Sequence, residues 1–471
     1  MSESNDVVDD QNDLLDAIGD SDISDRDALR RVSSLSTELE DISEVEYRQL
    51  RLERVVLVGV WTSGTAKQAE ESLTELARLA ETAGSEVLEG VIQRRAKPDA
   101  ATFIGSGKAN ELRGIVASLG ADTVICDGEL TPGQLQQLEK AVGVKVVDRT
   151  WLILDIFAQH ARSREGKAQV DLAQLSYMMP RLRGWGEAMS RQAGGIGTRG
   201  PGETKIETDR RRIRTRMAKL RKEIAAMQTA RDVSRKARRA SQLPSVAIVG
   251  YTNAGKSSLL NRLTKAGVLV QDELFATVDP TVRRARVPSG REFTLSDTVG
   301  FVRHLPHQIV EAFRSTLEES RDADLLLHVV DGSAENPEDQ ITAVRQVLSE
   351  VDADSVRELL VINKSDITPA ETLAALRRNH KHVVAVSART GQGINDLLEA
   401  IEADLPRPSV ELHAVIPYGR DELVAQLHRE GEILELVHEE AGTRVHARTD
   451  PVLAAELKPF RTDEVEAPVA E

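Results

Sequence analysis

The chain has 471 residues, of which 40% are hydrophobic and only 3% aromatic, and its net charge is −15. That length exceeds a single core and calls for about three domains. The lone cysteine, Cys126, excludes a disulfide framework, the acidic start excludes an export signal, and no apolar run nears the roughly 18 residues of a membrane helix, so a cytoplasmic monomer is expected.

Charge is unevenly distributed. Residues 1–46 hold 15 acidic side chains against three arginines, with few large apolar residues. The leader, residues 1–49, is therefore expected to lack regular structure. From Val55–Trp61 onward, strands alternate with helices. The pattern predicts a helix over Ala66–Ala83 with Leu73, Leu76, Ala77 and Leu79 on one face. It then predicts strands at Glu86–Gln93, Thr102–Ile104, Thr123–Cys126 and Lys145–Val147, with helices from Lys108 and near Pro132. This alternation argues for a small parallel α/β domain over residues 50–160. Cys126 falls at a buried strand end and reads as structural. Gly105-Ser106-Gly107-Lys108 resembles half of a phosphate loop. It either opens a helix or holds phosphate, of RNA or of ATP.

Residues 161–243 carry two helical patterns, Arg164–Met179 and Lys205–Ala240, around a glycine-rich run from Gly184 to Gly202. Two helices with one apolar stripe each suggest an antiparallel hairpin. Lys205–Leu243 holds 14 basic residues against four acidic ones. Such a surplus marks either a solvated face or a surface for nucleic-acid phosphates. The adjoining glycine loop favours RNA, and the lack of interleaved aromatics favours structured RNA over single strands. The candidate RNA-facing residues are Arg191, Gly194, Gly195, Gly197, Arg199, Gly200, Lys205, Arg210, Arg211, Arg212, Arg214 and Arg216.

The next segment, residues 244–406, carries the chemistry. Val246-Ala247-Ile248-Val249 runs into Gly250-Tyr251-Thr252-Asn253-Ala254-Gly255-Lys256-Ser257, and a helical pattern follows from Ser258. Strand, glycine loop and helix form the setting of a phosphate-binding P-loop. Backbone N–H groups and the helix N-terminus would cradle a triphosphate. Lys256 would reach the β- and γ-phosphates, and the Ser257 hydroxyl would ligate Mg²⁺. Downstream, Asp297-Thr298-Val299-Gly300 supplies a carboxylate holding Mg²⁺ through a water and an N–H for the γ-phosphate. Asn363-Lys364-Ser365-Asp366 follows an apolar strand. The Asp366 carboxylate accepts from guanine N1–H and the N2 amino group, which adenine lacks. Asn363 braces the loop near the purine edge, and the Lys364 stem covers the ring. Ser387-Ala388-Arg389 follows Val383–Val386 and offers the Ala388 N–H to guanine O6. These pieces, in this order, predict a GTP-hydrolysing domain.

Between P-loop and Asp297, Phe275-Ala276-Thr277-Val278-Asp279-Pro280-Thr281 holds the expected switch threonine. Thr277 is favoured, at a position similar to that of translation-factor-like GTPases, with Thr281 open. Phe301 stands where Ras-like enzymes carry a water-orienting glutamine, so another group, a partner or a monovalent cation completes the site. Asn253 bears on this, because G-x-x-N-x-G-K-S resembles loops of potassium-activated GTPases. Equally, it is an asparagine tolerating a left-handed backbone.

Residues 407–471 outline a small α+β domain, with strands at Val410–Ile416, Glu432–His438 and Thr443–Arg448 and a helix at Asp421–Arg429. The whole is read as a multidomain α/β chain: a small parallel α/β domain, a helical hairpin, a Ras-like P-loop GTPase domain and a small α+β domain. Asp148-Arg149-Thr150 running into Leu152–Phe157, then Pro180-Arg181-Leu182, the Gly194–Gly202 loop, Gly202-Glu203-Thr204-Lys205 and Phe275–Thr281 together resemble the HflX family of GTPases over about residues 50–455. That resemblance implies GTP and GDP as ligands and association with the 50S subunit and 70S ribosome. It also implies splitting or rescue of stalled or idle ribosomes, with Gly194–Gly202 against ribosomal RNA. Two other readings remain open: a regulatory switch for a protein effector, and an ATP-driven RNA remodeller working through the N-terminal domain.

Overall fold

A computed structural model describes residues 30–32, 53–182, 201–240, 243–264, 274–275, 281–303, 314–406, 410–449 and 451–462. They form two compact units. The first is built on a five-stranded sheet. Strand β1 (Arg30–Val32) lies antiparallel on the edge of β3. Strand β2 (Arg54–Trp61) is the central apolar run, with Val55, Val56, Leu57 and Val58 fully buried. Helix α1 (Ala66–Thr82) starts on a capping box. Thr65 Oγ1 accepts from the Gln68 N–H at 3.2 Å, and Gln68 Oε1 accepts from the Thr65 N–H at 3.0 Å. Its buried face is Leu73, Leu76, Ala77, Leu79 and Ala80. Then come β3 (Glu86–Arg94), α2 (Ser106–Leu119), β4 (Thr123–Asp127), α3 (Pro132–Val142), β5 (Lys145–Asp148) and α4 (Arg149–His160). The sheet order is β1-β3-β2-β4-β5, parallel except for β1. Cys126 is buried within it, and burial pushes its thiol up, which keeps it protonated and inert.

Two expectations change here. Arg30–Val32, inside the leader expected to lack structure, pairs with β3; the rest of residues 1–49 lies outside the described residues. Thr102–Ile104 is not a strand. Asp99 Oδ1 accepts from the Ala101 and Thr102 amides at 2.9 and 3.0 Å, and Phe103 takes φ 66°. That local carboxylate competition turns the chain before it can extend.

Helix α5 (Arg164–Arg181) continues through Pro180, two residues past the expected end at Met179. Arg181 explains this: its guanidinium donates to Leu130 O at 2.6 Å and Tyr177 O at 2.9 Å, and it stacks on the Tyr177 ring. Arg149 is buried and ties α1 to β4, pairing with Glu75 and with Asp127 at 2.8 Å. Asp148 caps α4 through the Trp151 N–H. Helix α6 (Pro201–Ala240) begins four residues before the expected start.

The second unit holds β6 (Ser245–Gly250), α7 (Lys256–Thr264), β7 (Val282–Arg286), β8 (Glu292–Asp297) and α8 (Arg314–Arg321). Next come β9 (Leu325–Asp331), α9 (Pro337–Glu350), β10 (Glu358–Asn363), α10 (Ala370–Asn379), β11 (Val383–Ala385) and α11 (Ile394–Asp404). The six-stranded order is β11-β10-β9-β6-β8-β7, with only the edge strand β7 antiparallel. A separate antiparallel sheet, β12 (Val410–Ile416), β14 (Gly442–Thr449) and β13 (Glu432–Glu439), packs on α12 (Asp421–Glu430) and α13 (Pro451–Glu456). Among the described residues no helix is long and apolar enough to cross a membrane.

Candidate functional site

Every described nucleotide motif lies at the carboxyl end of a strand in the six-stranded sheet, where open parallel sheets place ligands. The P-loop leaves β6, Asp297 ends β8, Asn363 ends β10, and Ser387 follows β11. Two glycines are dictated by contact. A Cβ on Gly250 would stand 2.2 Å from Val329 O, and one on Gly255 would stand 2.2 Å from Asn363 Nδ2. Both have positive φ, as does Asn253 at 58°. Asn253 therefore occupies the left-handed conformation its side chain tolerates.

Lys256 is buried, and its ammonium donates to Tyr251 O at 2.8 Å. Burial lowers its pKa to about 8, opposed by Asp297. The Ser257 hydroxyl donates to Asp297 Oδ2 at 2.8 Å, and the Thr298 N–H donates to Asp297 Oδ1 at 3.0 Å. Thr298 Oγ1 donates to Ile248 O at 2.7 Å, locking β8 to β6. Thr252 Oγ1 is buried without a hydrogen-bond partner among the described residues, a polar atom in the cradle that a phosphate oxygen would satisfy.

The start of the following loop is sewn to the P-loop. The Thr252 N–H donates to Phe301 O at 2.7 Å, the Phe301 N–H to Gly250 O at 3.2 Å, and the Arg303 N–H to the Tyr251 hydroxyl at 2.6 Å. Phe301 is buried and serves as core. A Cβ on Gly300 would meet Thr252 Cγ2 at 2.7 Å and Lys256 Nζ at 3.1 Å, so only glycine brings this N–H so near the lysine head.

On the base-reading side, Asn363 Nδ2 donates to Ala254 O at 2.8 Å, and its Oδ1 accepts the Ala388 N–H at 3.0 Å. One buried amide thus joins three motifs, and the Ala388 N–H expected to face the base is given to Asn363. Lys364 takes φ 58°, and its ammonium meets Asp331 Oδ2 at 2.7 Å. The Ser365 N–H donates to Val386 O at 3.0 Å. Arg389 reaches Asp366 Oδ2. Hydrogen bonding by Arg389 and Ser387 holds the Asp366 carboxyl below its ordinary range, so it is an acceptor at neutral pH. Ser387 is buried and turns the loop, accepting the Thr390 N–H at 3.1 Å.

Ala276 and Thr277 lie outside the described residues; Leu274 and Phe275 are buried. Arg191, Gly194, Gly195, Gly197, Arg199 and Gly200 also lie outside them. In α6, Arg211, Arg212, Arg214 and Arg216 are exposed and Arg210 is half-buried. Arg216 pairs with Asp171 at 2.7 Å and Arg214 with Glu207 at 3.9 Å.

Sequence reasoning missed Arg262 and the Tyr251 hydroxyl. Arg262 Nε donates to Ala388 O at 3.0 Å, across 126 residues of chain. No spacing rule points to either contact.

Comparison with known proteins matches residues 70–158 to the GTP-binding GTPase N-terminal family and residues 160–238 to the GTP-binding GTPase middle region. Residues 245–364 match the 50S ribosome-binding GTPase family. A GTPase HflX of Caldanaerobacter subterraneus subsp. tengcongensis is 46% identical over 87% of this chain and 94% of its own length. Another from Lacrimispora saccharolytica is 44% identical over 89% of this chain and 98% of its own. That of Escherichia coli is 45% identical over 74% and 82%, respectively.

Proposed function

We propose a ribosomal role for this chain, which belongs to the HflX family of GTPases and is a GTP-hydrolysing enzyme: its GTP-bound form binds the large ribosomal subunit, and hydrolysis to GDP releases it. Shifting subunits apart, or freeing stalled ribosomes, requires that the GTP form bind the separated subunit more tightly than the joined one. The observation that carries this reading is the match of residues 245–364 to a family described as 50S ribosome-binding GTPases. The exposed arginines of α6 support it, since phosphate contacts are their natural use.

In the GTP pocket, each residue has one task. The P-loop amides and Lys256 neutralise the triphosphate, Asp366 accepts from the guanine edge, and the Gly300 N–H meets the γ-phosphate. Ser257 and Asp297 carry hard oxygens 2.8 Å apart, which suit Mg²⁺: Ser257 would hold it directly and Asp297 through a water, with Thr277 as the expected switch ligand. When bound, that ion offsets charge developing on the phosphate oxygens. Phe301, buried against the P-loop, does not handle the attacking water. Intrinsic turnover is therefore slow and rises when the ribosome or K⁺ at Asn253 completes the site. Faster hydrolysis in KCl than in NaCl, lost in Asn253→Ala, is the expected result. Equal rates in the two salts would remove the cation from the mechanism.

The ribosomal reading is tested by sedimenting the full chain with 50S subunits, in a non-hydrolysable GTP analogue and in GDP. Co-sedimentation confined to the analogue is expected. Binding indifferent to nucleotide, or absent, would favour a protein-effector switch.

A further inference from the structure

The loop that carries Ser387, Ala388 and Arg389 leaves β11 and needs a fixed seat if its groups are to meet a base. The Val386 N–H donates to Ile362 O at 2.8 Å, its carbonyl accepts the Ser365 N–H, Asn363 takes the Ala388 N–H, and the loop closes on itself through Ser387. A further tie comes from the P-loop helix. Arg262, in the last turn of α7, donates from Nε to Ala388 O at 3.0 Å and from Nη2 to Arg389 O. Its guanidinium also lies beside Gly391, where a Cβ would stand 3.7 Å from Nη1. A planar fork on two successive carbonyls fixes both position and tilt, which a lysine ammonium does not.

The consequence reaches the base-reading acid. The Arg389 carbonyl is held by Arg262, while the Arg389 guanidinium sits on Asp366 Oδ2. Arg262 thus reaches Asp366 through Arg389 and shares helix α7 with Lys256. From this geometry we infer that Arg262 is a positioning residue for guanine recognition. It seats the 387–391 loop on the phosphate-binding helix, so that the Asp366 carboxylate, held by Arg389, stays in register with a nucleotide whose phosphates occupy the P-loop. The inference rests on Asp366 as the reader of the guanine edge.

Arg262 donates to the Ala388 and Arg389 carbonyls on the base side of the pocket, so its loss should appear in binding and not in chemistry. The test compares steady-state hydrolysis of GTP and of ITP, which lacks the N2 amino group, by the full chain and by Arg262→Ala, Arg262→Lys and Asp366→Ala. In Arg262→Ala the KM for GTP rises about five- to tenfold with kcat unchanged, and the preference for GTP over ITP shrinks severalfold. Arg262→Lys, with a point charge in place of the fork, falls between. An unchanged GTP-to-ITP preference in Arg262→Ala overturns the inference, as does a fall in kcat equal to the fall in kcat/KM. If Asp366→Ala also leaves that preference intact, the base-reading assignment is what fails. If Asp366→Ala abolishes it while Arg262→Ala does not, Arg262 alone is wrongly assigned. Should Arg262→Ala fail to fold, Arg262→Lys carries the same comparison.

Discussion

Lys256 is a buried cation whose partner among the described residues is a backbone carbonyl at 2.8 Å, and its pKa falls to about 8 from an ordinary 10.5. Burying the charged form is costly, and phosphate repays the cost. Nucleotide affinity should therefore decline as pH rises through about 8, because the neutral amine loses its pull on the phosphates. Titrating GDP affinity from neutral to alkaline pH should show this, and Lys256→Arg, charged throughout, should flatten it. The free protein behaves oppositely. Between about 8 and 10.5 the unfolded chain holds a proton that the folded one has released, so this group adds stability as pH climbs. Gly250→Ala is expected to cost about 1–3 kcal/mol, since its methyl would meet Val329 O at 2.2 Å. An unchanged urea midpoint would contradict that. The P-loop residues were legible because phosphate chemistry fixes their type and spacing together. Arg262 and the Tyr251 hydroxyl were not, since their partners Ala388 and Arg303 are brought close only by the sheet order.

At the scale of elements, β9 carries an unusual core residue. His328 is buried between β6 and β10, and Nδ1 meets Glu358 Oε1 at 2.5 Å. Burial lowers its pKa despite that acid, while Glu358 is brought to about 2; burial alone would raise it, but His328 and Arg345 prevail. Below the ordinary histidine value of 6.5 the unfolded chain gains a proton the folded sheet refuses. Stability should thus fall as pH drops from 6.5 through the lowered value, and His328→Met should show a smaller loss between neutral and mildly acid urea titrations. Helix α6 makes a different prediction. Neutralising Arg211, Arg212 and Arg214 should weaken binding to 50S subunits and lower the salt slope by about one for each phosphate contact removed. An unaltered slope would mean the arginines only solvate the helix. Most elements were readable from apolar periodicity, including β2 and α1. Beyond the unexpected pairing of β1 with β3, two failures turn on single side chains: Asp99 captures two amides and turns Thr102–Ile104, and Arg181 carries α5 past Pro180 by binding Leu130 O. Both depend on one side chain finding a particular backbone group, which periodicity does not encode.

For the whole molecule, the order of motifs along the chain announced a GTPase, and the family models extend the match over residues 70–158, 160–238 and 245–364. The sequence left the coupling between pocket and partner open, and the described residues suggest its form. Two backbone bonds, from the Thr252 and Phe301 amides, and a third from the Arg303 amide to the Tyr251 hydroxyl tie the loop after Gly300 to the P-loop. A γ-phosphate that draws on the Gly300 amide must act on this same seam. The central claim, that the GTP form shifts the subunit equilibrium, is tested most directly by light scattering of 70S ribosomes mixed with the full chain. In a non-hydrolysable GTP analogue the scattering should fall as subunits separate, and in GDP it should hold. Scattering that is the same with both nucleotides would contradict the account.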